Sequence, residues 1–214
     1  MNMKIGLLFD LDGTLLDTLG DLRNSVNFAL STFGYPERTL QEIRSFVGNG
    51  ARLLARTAMP ADKDNVDEVL AAFQSHYKDH CNILTGPYAG IPEALEALKE
   101  YPMAIVSNKP DYAVKDLCRT YFPGIYALGE VAGCPRKPAP DMLKKAMADI
   151  GVDACIYIGD SEVDVETARN AGAPCLSVTW GFRDEEVIRA AGGIHFCREP
   201  ENLPNAVKEI IHGL

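Results

Sequence analysis

Three features of the sequence predict an α/β protein: a parallel sheet with helices on both faces, interrupted by one all-helical insertion. From about Pro87 onward, short apolar runs alternate with stretches of helical periodicity, the pattern of parallel strands joined by crossover helices. A separate apolar run, Lys4–Phe9, stops at Asp10, as a buried strand stops at a polar loop. Between them, roughly 18–85, helical patterns follow one another with no strand.

The insertion opens with Thr18 and Asp21, which resemble a capping box. Leu19, Leu22, Val26, Ala29, Leu30 and Phe33 repeat at helical spacing, and Gly34 and Pro36 end that helix. Thr39 with Glu42 offers a second cap, ahead of Leu40, Ile43, Phe46 and Val47. Gly48-Asn49-Gly50 breaks the chain before a helix through Leu53, Leu54 and Ala58. A longer helix carries Val66, Val69, Leu70, Phe73 and Tyr77 on one face.

The alternating part begins with a helix from Pro92 to about Glu100 and a strand Met103–Val106. A helix around Val114–Tyr121, a weak strand near Ala127–Val131 and a helix Asp141–Ile150 come next. The strand Cys155–Ile158, a helix near Val163–Ala171, the strand Cys175–Val178 and two closing helices complete the pattern. Residues 1–17 and 86–214 are therefore expected to form a Rossmann-like core, and 18–85 a helical cap domain inserted into it.

Composition narrows the function classes. In 214 residues, 47% hydrophobic and 24% charged, there is room for one core plus a modest insertion. A net charge of −9 argues against nucleic acid or an anionic membrane as partner, since phosphate backbones need clustered Lys and Arg. No apolar run reaches spanning length, and the N-terminal run is too short for a signal segment. The six cysteines are scattered with no Cys-x-x-Cys pair, the pattern of reduced core thiols. The expectation is a soluble, cytoplasmic protein, monomer or homodimer, acting on a small molecule. His76 and His80 share helical spacing that suits a metal, but no third ligand follows at a sensible distance, so a pair without zinc is expected.

In an open parallel sheet, ligands bind beyond the carboxyl ends of the strands. Asp10, Asp12, Gly13 and Thr14 follow the first strand; Ser107, Asn108 and Lys109 follow the second. Gly159, Asp160, Ser161 and Asp164 follow the strand at Cys155–Ile158, and Lys137 lies in the loop Arg136–Pro140. One topology brings these distant residues to one edge. Asp10, Asp12, Asp160 and Asp164 gathered there repel one another unless a cation sits among them. Oxygen donors without His or Cys favour a hard ion, and magnesium suits a site that also holds a phosphate. The ion and Lys137 would then reverse the local field of an acidic protein. Ser107 can donate to a phosphate oxygen and Lys137 can act as a point charge. Asp10 can attack phosphorus, and Asp12 can protonate the leaving oxygen and then deprotonate water. Thr14 and Asn108 stand beside these groups as candidate substrate contacts. Arg52, just past the Gly-Asn-Gly turn, is the candidate cap residue for the substrate's own anionic group, against the alternative of a solvated charge. Asp164 has a competing role, since Ser161-x-x-Asp164 fits a helix cap.

The set Asp10-Leu11-Asp12-Gly13-Thr14, Ser107, Lys137-Pro138-x-Pro140 and Gly159-Asp160-x-x-x-Asp164, in this order, resembles the haloacid dehalogenase-like hydrolase superfamily. The whole chain is similar to its phosphoglycolate phosphatase group, including a helical cap after the first strand. The resemblance implies that Asp10 is nucleophile and magnesium ligand, and that Asp12 is acid/base while offering its backbone carbonyl to the metal. It implies phosphate binding by Ser107 and Lys137, and metal binding by Asp160, with Asp164 supporting directly or through water. The superfamily's dehalogenases lack a carboxylate at the position of Asp12, so phosphatase chemistry is expected. 2-Phosphoglycolate is the substrate suggested by the resemblance. Alternatives are pyrophosphate, a nucleotide or a sugar phosphate, a phosphosugar mutase (against which Thr14 argues), or a non-catalytic binding module.

Overall fold

Hydrophobic alternation builds a central sheet whose order decides where a ligand can sit. The structure, a computed structural model, describes residues 3–213. Strand β1 spans Ile5–Phe9, and a two-residue strand β2, Leu16–Asp17, precedes helices α1 (Leu19–Thr32), α2 (Leu40–Phe46), α3 (Ala51–Ala58) and α4 (Val66–His80). The chain returns through β3 (Gly86–Pro87) and α5 (Ile91–Ala97) to β4 (Met103–Pro110), α6 (Asp111–Tyr121) and β5 (Tyr126–Glu130). Then come α7 (Asp141–Ile150), β6 (Ala154–Gly159), α8 (Glu162–Ala171), β7 (Cys175–Val178), α9 (Glu185–Ala190), β8 (His195–Cys197) and α10 (Leu203–His212).

The six strands of the main sheet order as β5-β4-β1-β6-β7-β8, all parallel. Chain order runs outward from β1 to β5 on one side and from β6 to β8 on the other. The reversal beside β1 is the switch point at which α/β sheets hold ligands. Alternation along each strand feeds two cores. Leu7, Phe9, Ile105, Ile156 and Ile158 face α5, α6 and α10, while Leu8, Val106, Cys155 and Tyr157 face α7 and α8. Sheet and helices on both faces match the expected architecture.

The four helices α1 to α4 lie between β2 and β3, which pair antiparallel as Leu16↔Pro87 and Asp17↔Gly86. This two-strand tie at the crossing points leaves no mark in the sequence, because two residues carry no periodicity. The closing strand β8 escapes the sequence pattern for the same reason; only three residues pair with β7. Helix α1 ends as expected: Gly34 takes φ +68° and the Tyr35 N–H reaches back to the Leu30 carbonyl at 2.9 Å. The Thr39–Glu42 capping box forms. The Thr18–Asp21 box does not, because Asp21 turns to another task. Its carboxylate accepts the N–H groups of Ile83, Leu84 and Thr85 and the Thr85 hydroxyl at 2.8–3.0 Å. No described helix is long and apolar enough to cross a membrane.

Candidate active site

The site assembles from register. Phe9 is level with Ile105 on one neighbour and Ile158 on the other, so Asp10, Ser107 and Asp160 leave the sheet within one or two residues of the same height. Asp10 directs Oδ1 to its following N–H, Leu11, at 2.7 Å, and to Lys137 Nζ at 2.9 Å. Its other oxygen has no partner among the described residues. Gly13 takes φ +83°, and a Cβ there would stand 2.3 Å from Asp160 Oδ2. Glycine is what lets the first loop fold down against Asp160.

Lys137 is 2% exposed, yet it carries a charge because Asp10, Asp164 and the Tyr157 hydroxyl surround its ammonium at 2.8–2.9 Å. Burial pulls its pKa down, but the two carboxylates outweigh that and raise it. Asp164 is fully buried. One of its oxygens accepts from Lys137 and Tyr157, the other from the Ser161 N–H and hydroxyl at 3.1 and 2.6 Å. The helix-cap role weighed from sequence is therefore real, and it coexists with an ion pair to Lys137.

Asp160 accepts from Thr14 Oγ1 at 3.1 Å and from the Phe182 N–H at 2.7 Å. Burial, then Asp164 and Asp10, push its pKa well above the usual carboxylate range. Burial also raises Asp10, to about 7, with Lys137 opposing and Asp164 and Asp12 adding to the rise. Asp10, Asp160 and Asp164 each offer an oxygen within 4.8 Å of the others, with one ammonium among them. Asp160 has no cationic side chain of its own among the described residues. A divalent cation fits: the donors are all oxygen, and two negative charges are left unbalanced.

Three candidate substrate contacts are placed otherwise than expected. Arg52 is exposed on the outer face of the helices and pairs with Asp67 of α4, so it does not face the acidic cluster. The pair is solvated: Asp67, in the first turn of α4, and Arg52 are both exposed. Arg52→Ala is therefore expected to change kcat/KM by less than about twofold, as steady-state kinetics would show. Thr14 spends its hydroxyl on Asp160 and is 1% exposed. Asn108 spends its whole amide on backbone: two N–H groups go to the Gly48 and Lys137 carbonyls, and its oxygen accepts from Lys137 N–H. It ties the Gly48 loop to the Lys137 loop and lines the cavity with no side-chain donor left for phosphate. Ser107 is 2% exposed and lines the cavity.

Other residues complete the site. Lys109 donates to Asp12 Oδ1 at 2.7 Å, as does the Thr18 hydroxyl. Strand β4 runs on to Pro110 past an irregularity in its pairing with β5, and both Ser107 and Lys109 line the cavity; their place just after the apolar run was the available signal. Arg183, in the loop after β7, donates to the Arg44 and Val47 carbonyls at 2.8 and 2.6 Å and to Glu162. These carbonyls are at the end of α2, where a cation is favoured, so Arg183 latches the helical segment over the sheet. No sequence pattern marks it. The cavity is about 50 Å³, with Leu22, Val47, Leu54, Phe73, Tyr77 and Phe182 as its apolar wall. His76 and His80 lie away from it, their rings stacked at 3.9 Å and His76 Nδ1 3.0 Å from the Ser25 hydroxyl.

Comparison with known proteins agrees with this geometry. The sequence profile of the haloacid dehalogenase-like hydrolases matches residues 7–178. Phosphoglycolate phosphatase 1 of Pseudomonas aeruginosa is 33% identical over 190 residues, covering 82% of this chain and 70% of its own. N-acetylmuramic acid 6-phosphate phosphatase of the same organism is 32% identical, covering 85% and 84%. A crystal structure of a provisionally named phosphoglycolate phosphatase from Lactobacillus delbrueckii superposes with a TM-score of 0.89 at 35% identity, over 96% of this chain and 99% of that one. The matched span runs from β1 to β7 and contains every acid of the rim, and the chain belongs to the haloacid dehalogenase-like hydrolases.

Proposed function

We propose that the protein is a magnesium-dependent phosphatase that hydrolyses a small phosphate monoester, 2-phosphoglycolate, through a phosphorylated Asp10. One observation carries the reading: Asp10 has one oxygen fixed by Leu11 N–H and Lys137 while the other is free, with Asp12 beside it on a separate ammonium. Two carboxylates, each with its own cation, suit two roles, nucleophile and proton carrier.

The free oxygen of Asp10 attacks phosphorus, and the ester P–O bond breaks. Asp12, as general acid, passes a proton to the departing alcohol oxygen. Water then attacks the aspartyl-phosphate, Asp12 takes the water's proton, and inorganic phosphate leaves with Asp10 restored. Ser107 donates to a phosphoryl oxygen. Lys137 holds Asp10 in line and opposes charge that builds on the phosphoryl group. Asp10, Asp160 and the Asp12 carbonyl would hold magnesium, which supplies charge neutralisation for the phosphoryl oxygens. Asp164, with its acceptor sites taken by Lys137, Tyr157 and Ser161, acts by fixing Lys137. Helices α1 to α4 act as a cap, latched by Arg183, that keeps water from the phosphoryl group.

The relatives' names point to phosphoglycolate and to a bulkier muramic acid phosphate. Phosphoglycolate is named by several of the relatives and the muramic acid phosphate by one, so phosphoglycolate is the substrate to test first. The test is phosphate release from 2-phosphoglycolate with magnesium. Chelation should lower the rate by at least roughly 100-fold, and magnesium, not zinc, should restore it. Full activity in excess chelator would end this reading.

A further inference from the structure

Tyr77 holds the one buried side-chain polar atom without a hydrogen-bond partner among the described residues: its hydroxyl. The residue is 1% exposed and lines the cavity beside the acidic rim. It occupies the inward face of α4 with Val69 and Phe73, and its ring stacks on Phe73 at 5.2 Å. That apolar spacing alone would serve packing, and phenylalanine would do it as well. Buried hydroxyls are almost always paired, so an orphan on a residue of the cavity wall points to a ligand.

A second donor stands beside it. Lys109 Nζ lies 4.8 Å from the Tyr77 ring centroid and donates to Asp12 Oδ1 at 2.7 Å. An ammonium has three donors, so two remain. Asp12 is the group that hands a proton to the leaving oxygen, so what touches Lys109 on the cavity side is the leaving alcohol itself. Leu22, Leu54 and Phe73 beside Tyr77 and Lys109 are apolar, and Arg183, a further cation of the wall, is committed to Glu162 and the Arg44 and Val47 carbonyls.

We propose that Tyr77, with Lys109, forms the specificity subsite for the leaving group and accepts a carboxylate two to three bonds from the ester oxygen. This rests on the phosphatase reading and adds the group that selects the substrate. An acidic ester is admitted to an acidic protein at this point because an ammonium and a hydroxyl both donate there. A leaving group without an acceptor leaves both unpaired, which is how such a site rejects it.

The pair 2-phosphoglycolate and ethyl phosphate tests this, since a methyl group replaces the carboxylate at equal length. In the wild type kcat/KM should favour 2-phosphoglycolate, and in Tyr77→Phe that ratio should fall by about 10-fold or more. The variant keeps the ring stacked on Phe73 and leaves the Lys109–Asp12 pair in place, so its Tm should hold, unlike that of a structural tyrosine. An unchanged ratio would overturn the subsite and leave water as the hydroxyl's partner. So would a wild type with no preference between the esters. Calorimetry separates this from the fate of the phosphatase reading. Asp10→Asn should bind 2-phosphoglycolate at least about 10-fold more tightly than Asp10→Asn/Tyr77→Phe, even without turnover. Equal affinities would refute the subsite, whereas failure of the wild type to release phosphate from either ester would refute the phosphatase reading.

Discussion

Asp10→Asn is expected to release no phosphate above background, a loss of at least roughly 10⁴-fold in kcat, while the fold stays intact. The amide has the carboxylate's shape but cannot form a phosphorylated intermediate, and no neighbour can substitute. Asp12 is held by Lys109 and Thr18, Asp160 by Thr14 and Phe182, and Asp164 by Lys137, Tyr157 and Ser161. Stability should not suffer. Burial and the neighbouring acids raise the Asp10 pKa, so its charge is disfavoured in the folded protein, and a neutral side chain relieves that repulsion. Lys137 keeps two of its three partners, Asp164 and Tyr157. Phosphate release from 2-phosphoglycolate, with circular dichroism as the fold control, is the measurement that decides. Near-wild-type turnover would remove Asp10 from the chemistry.

The contrast between Asp10 and Arg52 shows what is readable in such a sequence. Asp10, Ser107 and Asp160 each follow an apolar run of strand length. A parallel sheet then brings strand ends to one edge whatever the side chains in between. Periodicity fixes the strands, topology fixes the edge, and the acids identify themselves. The expectation for Arg52 rests on nearness to a Gly-Asn-Gly turn, which says nothing about which way a helix presents its side chains. Its position two residues into α3 sends it outward to Asp67. Thr14 and Asn108 stand in the right loops, but their hydroxyl and amide are consumed by Asp160 and by backbone groups. Which polar group spends its hydrogen bonds inside the protein is a property of packing, and no spacing rule conveys it. Tyr77 shows the converse. It belongs to an ordinary apolar stripe, and only the absence of a partner for its oxygen sets it apart. Sequence thus locates groups that must lie at strand ends. Residues from the cap that meet them depend on how α1 to α4 dock, which rests on contacts such as Arg183 with the α2 carbonyls.

Asp21→Ala is expected to lower stability by about 3 kcal/mol or more, because it strands several backbone donors at once. Asp21 is 1% exposed and sits in the first turn of α1, where the chain enters the helical segment. Its carboxylate takes three successive N–H groups, Ile83 to Thr85, where the chain leaves that segment. The Tyr121 hydroxyl of α6 holds the same stretch from the core side, donating to the Thr85 carbonyl at 2.6 Å. Entry and exit are thus bound to each other through one side chain, next to the β2–β3 pair. Alanine leaves these donors without acceptors, in a place where Thr85 is buried and water cannot fully replace the carboxylate. For a chain of this length each kcal/mol corresponds to about 2–4 °C, so the expected fall in Tm is about 6–12 °C. Asp21→Asn keeps one acceptor oxygen and should fall between alanine and the wild type. Thermal denaturation followed by calorimetry measures both. A shift below about 2 °C for alanine would mean that the crossing is held elsewhere, with the β2–β3 pair and Tyr121 sufficient on their own.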